Sequence, residues 1–272
     1  FTIEDMDGIS APIIALSNRF FLPLTNEKGE TIETFVIRGQ MLHTVVRMAG
    51  MMMHSFSRNG PILTRETPFD FDDTWEKAAG MFEYQLEAIF NSYCLQNGCR
   101  GLAYNSIIAG GNNSCTLHYV LNDQVLKDGD LVLVDAGAEY NNYAADITRT
   151  FPVSGKFNPE QKQIYNLVLK AQLAGIEQVK PGNIWDSVQQ AILKVIVAGL
   201  VDLEILTGNV DQLIKDQAYK KFYMHSSGHW LGLDVHDAGE YRQGQDWRIL
   251  APGMMLTVEP GCYIRATSDV AR

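Results

Sequence analysis

Leu131-Val132-Leu133-Val134-Asp135 and Ala144-Ala145-Asp146-Ile147-Thr148 flank the stretch Ala136-Gly137-Ala138-Glu139-Tyr140-Asn141-Asn142-Tyr143. An apolar, β-branched run, a Gly- and Asn-containing turn and a second run read as a β-hairpin. A turn centred between Tyr140 and Asn141 sets Asp135 directly opposite Asp146. A turn shifted by one residue makes them diagonal neighbours, still on one face. Opposite positions have Cβ atoms about 4.5–5.5 Å apart. Two carboxylates held that close repel each other unless one is protonated or a cation lies between them. A metal site is therefore the first expectation.

Further ligands follow along the chain. His225-Ser226-Ser227-Gly228-His229-Trp230-Leu231-Gly232-Leu233-Asp234-Val235-His236-Asp237 holds three of the six histidines. Met255-Leu256-Thr257-Val258-Glu259-Pro260-Gly261 puts one carboxylate at the end of an apolar strand that Pro-Gly terminates. One imidazole among several carboxylates suits Mn²⁺, Co²⁺, Fe²⁺ or Zn²⁺ in a hydrolytic centre better than a structural thiolate zinc site. Taken alone, His229 reads as a satisfied core histidine, Glu259 as a solvated strand end, and each aspartate as a hairpin charge. Two carboxylates on one apolar-flanked face argue against that bland reading.

The remaining composition excludes several functions. The chain has 272 residues, 46% hydrophobic and 20% charged, which fits a globular protein with a sizeable core. A formal net charge of −10 argues against a nucleic-acid partner, which needs a cationic surface. No apolar run is long enough for a membrane span, and no signal peptide is visible. Cys94, Cys99, Cys115 and Cys262 form no C-x-x-C pair, so reduced cytoplasmic thiols are expected. The first residue is Phe, from which a start inside a longer protein is expected. H-E-x-x-H, G-x-S-x-G and Walker-type motifs are all missing.

Residues 1–40 read as β, and Met41 to Phe56 as a Met-rich helix. Asn59 to Asp73 reads as a loop. Helices are expected over Met81–Asn97, over 158–180 with Asn158 as cap and Pro159 in the first turn, and over Ile184–Leu200. Strands are expected at 104–109, 131–135, 144–150, 222–225 and 254–259. Helices interspersed with antiparallel strands indicate an α+β layer.

The motifs carry a resemblance. Asp135, Asp146, Gly228-His229-Trp230-Leu231-Gly232-Leu233-Asp234-Val235-His236-Asp237 and Thr257-Val258-Glu259-Pro260-Gly261 resemble the pita-bread metallopeptidases of family M24. Within that family the likeness is greatest to the aminopeptidase P (Xaa-Pro aminopeptidase) branch. Cys115-Thr116-Leu117-His118-Tyr119 and Asp146-Ile147-Thr148-Arg149-Thr150-Phe151-Pro152 belong to the same likeness, which runs from about Gly80 to Tyr263.

The resemblance implies a curved antiparallel sheet covered by helices. Residues 1–40 are then a remnant or unmatched segment, 41–272 a catalytic domain truncated at its carboxyl end, and 59–79 an insertion. It implies Mn²⁺, with Co²⁺ or Zn²⁺ as substitutes, bound as two ions per site. Asp135 binds one ion, Asp146 bridges both, and His229 and Glu259 complete the ligands. His118, His225, His236 and Tyr263 face the substrate; His43 and His54 lie outside the motifs and read as structural. A hydroxide shared by the ions attacks the carbonyl before a prolyl nitrogen. Glu259 moves the proton, His236 steadies the oxyanion, His225 assists, and His118 helps the proline leave. The implied partners are peptides with proline second, and the full-length form is a homo-oligomer, dimer or tetramer. A non-catalytic pita-bread binding domain and a prolidase are the alternatives.

One departure bears on activity. The family carries a second bridging glutamate beyond the Glu-Pro-Gly strand, whereas this sequence has no glutamate after Glu259. The second ion is therefore expected to bind poorly, and turnover to be slow.

Overall fold

The computed structural model describes residues 78–265, together with the backbone of four short preceding strands. These are β1 (Ile14–Ala15), β2 (Asn18–Phe21), β3 (Leu24–Thr25) and β4 (Thr31–Ile32). The Met-rich helix expected at 41–56 and the loop expected at 59–73 lie outside the described residues. Next come α1 (Glu83–Gln96), β5 (Gly101–Leu102), β6 (Ile107–Gly110), β7 (Leu131–Asp135), β8 (Ala138–Tyr140), β9 (Tyr143–Ala144) and β10 (Thr148–Pro152). Helices α2 (Pro159–Ile176), α3 (Asp186–Asp202) and α4 (Val210–Lys215) follow. The strands β11 (Arg242–Gln243), β12 (Asp246–Trp247) and β13 (Met255–Val258) close the order.

The antiparallel sheet β1-β10-β7-β6 positions the acidic hairpin. Its register pairs Asp135 with Thr148 and Ile107 with Asp135. The turn lies between Asn141 and Asn142, one position beyond a Tyr140–Asn141 centre. Both asparagines have positive φ, 51° and 67°, as a two-residue type I′ turn requires. Asp135 and Asp146 are thus diagonal rather than directly opposed. The hairpin also changes sheets midway, because β8 leaves β7 to pair with β5 and β9. The backbone bonds Ala136 N–H to Ile147 O (3.0 Å) and Ala145 N–H to Ala138 O (2.9 Å) bracket this junction. Asp146 and Gly137 sit within it.

Alternation along β7 decides what each face does. Val132 and Val134 pack with Ile108, Phe151, Leu86 and Phe90 beneath α1. Leu133 and Asp135 point the other way, with Ile107 and Ala109, and line a cavity. Burial on both faces explains why Leu131–Val134 reads as an unbroken apolar run.

Helix α2 begins as expected. The Asn158 side chain accepts from Gln161 N–H (2.7 Å), the Gln161 side chain accepts from Asn158 N–H (3.0 Å), and Pro159 takes the first position. The helix stops at Ile176 rather than 180. Leu167, Val168 and Ala171 of α2 pack on Ile192, Ile196 and Leu200 of α3, with Leu256 and Val258 of β13 in the same core.

Three expected strands differ. Segment 144–150 is divided, with β9 in one sheet and β10 in the other, and of 104–109 only the part from Ile107 onward joins a strand, β6. No strand forms at 222–225. Tyr219 O accepts from the N–H groups of both Phe222 and Tyr223 at 2.8 Å, so a tight turn consumes the donors a ladder would use. No helix among the described residues is long and apolar enough to cross a membrane.

Candidate metal centre

Three separate pieces of chain meet at the cavity. The first is the hairpin carrying Asp135 and Asp146. The second, 227–231, lies antiparallel to the third, 255–259. Leu231 N–H bonds Met255 O (3.2 Å), Thr257 N–H bonds His229 O (3.0 Å), and Glu259 N–H bonds Ser227 O (2.8 Å). Gly228 permits that approach, since a Cβ there would stand 2.2 Å from the Thr257 carbonyl oxygen. At Gly232 a Cβ would meet the Asp237 carboxylate at 2.1 Å. A bond from Ala144 N–H to Gly232 O (2.8 Å) ties the hairpin to the second piece.

The ladder aims the side chains. His229 Nε2 lies 3.0 Å from Asp146 Oδ2 and 3.1 Å from Glu259 Oε1. One ligand atom from each of Asp146, His229 and Glu259 falls within 4.8 Å of the others. His229 Nδ1 faces Trp230 O at 2.8 Å. A proton on Nδ1 satisfies that carbonyl and leaves the Nε2 lone pair pointing at two carboxylates. Three acceptors facing one another call for a cation between them. A proton on Nε2 can serve: burial lowers the His229 pKa, but hydrogen bonds to Asp146 and Glu259 outweigh it and raise it from 6.5 to about 10. A divalent ion meets the same need with two carboxylates and one imidazole, a ligand set suited to it.

Asp135 stands beside this trio. Tyr104 donates its phenol proton to Asp135 Oδ1 (2.5 Å) and lies 3.1 Å from Asp146 Oδ1. Burial and the neighbouring Asp146 raise the Asp135 pKa from 3.8 to about 7, against the lowering effect of Tyr104. Burial and both aspartates hold the Tyr104 phenol well above its usual range, so it stays a donor. No sequence pattern marks Tyr104. Its place depends on the crossing between two sheets, which no spacing reveals.

Thr257 is a second residue without an assigned role in the sequence reading. It is fully buried, accepts from His229 N–H (2.9 Å) and donates to Glu259 Oε1 (2.7 Å). One hydroxyl therefore orients two of the three candidate ligands.

The other expected residues surround the same cavity, which has a volume of about 630 Å³. His118, His225, His236 and Tyr263 all line it. His225 Nε2 hydrogen-bonds the Tyr263 hydroxyl at 2.9 Å. The His236 ring packs edge-on against His229, with centroids 4.3 Å apart. Burial and His229 lower the His236 pKa, favouring the neutral imidazole. His118 enters from the loop after β6 with φ 54°. Trp230 packs against Trp185, centroids 4.3 Å apart, and does not line the cavity. The four cysteines are free thiols.

Comparison with known proteins agrees with this geometry. The model of metallopeptidase family M24 matches residues 42–272. The Xaa-Pro aminopeptidase of Haemophilus influenzae is 55% identical over 193 residues, covering 70% of this chain and 44% of the relative. That of Escherichia coli K12 is 49% identical over 191 residues, covering 70% and 43%. The chain thus spans less than half the length of these curated relatives. Among solved structures, Pseudomonas aeruginosa aminopeptidase PepP is 54% identical with a TM-score of 0.70, over 71% of this chain and 44% of that one. Zn-substituted E. coli aminopeptidase P in complex with product is 44% identical with a TM-score of 0.70, over 84% and 49%.

Proposed function

This chain belongs to metallopeptidase family M24 and has its pita-bread fold, and from that premise we propose that it is the catalytic part of an Xaa-Pro aminopeptidase. The observation that carries the proposal is the convergence of Asp146, His229 and Glu259 on one point, with the His229 tautomer fixed by Trp230 O. On this reading residues 41–272 form the catalytic unit, and it works in the cytoplasm. Asp146, His229 and Glu259 would hold one Mn²⁺, and Asp135 with Asp146 would hold a second.

When bound, the ions supply an acidified water as nucleophile and polarise the scissile carbonyl. The residues do the rest. Glu259, oriented by Thr257, takes the water proton. His236, neutral beside His229, donates to the developing oxyanion. His118 delivers a proton to the departing prolyl nitrogen, which has no N–H of its own. The His225–Tyr263 pair forms a wall against the proline ring. Among the described residues, Asp135 and Asp146 are the carboxylates placed for a second ion. Full-length molecules assemble as homo-oligomers.

The test is release of the first residue from Xaa-Pro-Yaa peptides by the Mn²⁺-loaded chain, with Xaa-Ala-Yaa as control. Release from the proline peptides that stops with chelator supports the reading. Equal cleavage of both peptides, or of neither, refutes it. Cleavage confined to Xaa-Pro dipeptides would point to prolidase instead.

A further inference from the structure

Glu83, the first residue of α1, is fully buried, and its carboxylate takes no part in the metal centre. Its surroundings consist of donors. Oε1 accepts from Gly110 N–H (2.7 Å) and the Asn113 amide (3.0 Å). Oε2 accepts from the Tyr119 hydroxyl (2.7 Å) and Gln124 N–H (3.0 Å). The two oxygens thus grip opposite ends of one loop. Gly110 and Asn113 lie before Ser114–His118, whereas Tyr119 and Gln124 lie after it. What remains between the two grips is the part that enters the cavity, including Thr116, Leu117 and His118.

Only a carboxylate suits this position. It can accept all four bonds, whereas a glutamine amide would turn two hydrogens toward groups that are themselves donors. His118 also adopts a left-handed backbone, φ 54°, uncommon for a residue other than glycine. Neighbouring bonds from Asn122 reinforce the same loop, reaching Ser106 O (2.9 Å) and Glu87 (2.8 Å).

We propose that Glu83 is the positioning residue for His118, clamping both ends of its loop so that the imidazole is presented at the cavity. The proposal rests on the reading of His118 as donor to the leaving nitrogen. It is tested by a double-mutant cycle on the Mn²⁺-loaded chain. Glu83→Gln should lower kcat on an Xaa-Pro tripeptide about tenfold or more while KM changes less than about twofold. In a His118→Ala background the same substitution should cost less than about twofold, because the group it positions is gone. Equal losses in both backgrounds, or a loss confined to KM, overturn the proposal.

Tyr119→Phe removes one donor without changing shape and keeps the test open if Glu83→Gln misfolds; it should show the same coupling at smaller amplitude. Amide exchange provides a readout independent of activity. In either variant, amides of residues 111–119 should exchange about tenfold faster, with α2 and α3 unchanged. Unchanged loop exchange overturns the clamp. An unsubstituted chain that cleaves no peptide refutes the proposed function while exchange still judges the clamp.

Discussion

Replacing Gly137 with alanine tests the junction on which both hairpin carboxylates depend. A Cβ at Gly137 would stand 1.7 Å from Ala145 O, 2.4 Å from its carbonyl carbon and 2.8 Å from Tyr104 Cε1. Real Cβ atoms essentially never approach a backbone oxygen within 3.0 Å, so the two strands must part by more than an ångström. That separation breaks the bonds Ala136 N–H to Ile147 O and Ala145 N–H to Ala138 O, worth about 1 kcal/mol each net. Overpacking adds about 1–3 kcal/mol, for a total of roughly 3–5 kcal/mol. At about 2–4 °C per kcal/mol for a chain of this size, the melting temperature should fall by about 10 °C. The movement also carries Asp146 away from His229 and Tyr104, so Mn²⁺ affinity should fall with stability. Thermal melts followed by circular dichroism, with and without Mn²⁺, and titration calorimetry would measure both effects. Gly101→Ala, in the strand that pairs with β8 and with nothing within 4 Å of its new Cβ, is the control and should be nearly neutral. A Gly137→Ala chain that melts within about 2 °C of the parent and binds Mn²⁺ equally well would refute the argument.

Tyr104→Phe removes the donor shared by Asp135 and Asp146 and should weaken metal binding about 10–100-fold while the fold persists, as calorimetry would show. Thr257→Val should lower Mn²⁺ affinity by about tenfold through loss of the hydroxyl orienting His229 and Glu259, and unchanged affinity would exclude that role. Without metal, stability should fall as pH rises: Asp135, raised to about 7, favours the folded chain least once it must ionise, and the His229 contribution, complete below 6.5, is lost toward pH 10. Melts of the metal-free chain across pH 5–10 check this, and saturating Mn²⁺ should reverse the slope above neutrality, because binding displaces those protons.

The sequence made the chemistry legible where residues act through local pattern. The apolar run before Asp135, the Asn158–Pro159 helix start and the Glu-Pro-Gly strand end each lie within a few positions of their signal, and each was found. The hairpin turn was displaced by one residue because a Gly- and Asn-rich stretch offers several turns. Only the double positive φ at Asn141–Asn142 selects one. The division of 144–150 between two sheets has no local signal, since pairing partners decide it, and the same holds for Tyr104 in the link between β5 and β6. The missing strand at 222–225 has a similar cause: its apolar residues face the α2–α3 core from a turn rather than a ladder.

These misses share a physical basis that also explains the electrostatics of the centre. Asp146 and Glu259, far apart in sequence, meet at one imidazole with Asp135 beside them, at a cost in repulsion and desolvation that local propensity cannot record. The groups that make the arrangement tolerable are neutral donors: Tyr104 for the two aspartates and Thr257 for Glu259. Such donors need only one well-placed hydrogen, so almost any strand position can supply one, and sequence spacing carries no mark of them. A carboxylate cluster can therefore be read from the chain itself. The hydroxyls that hydrogen-bond to it have to be found from the register of the sheets.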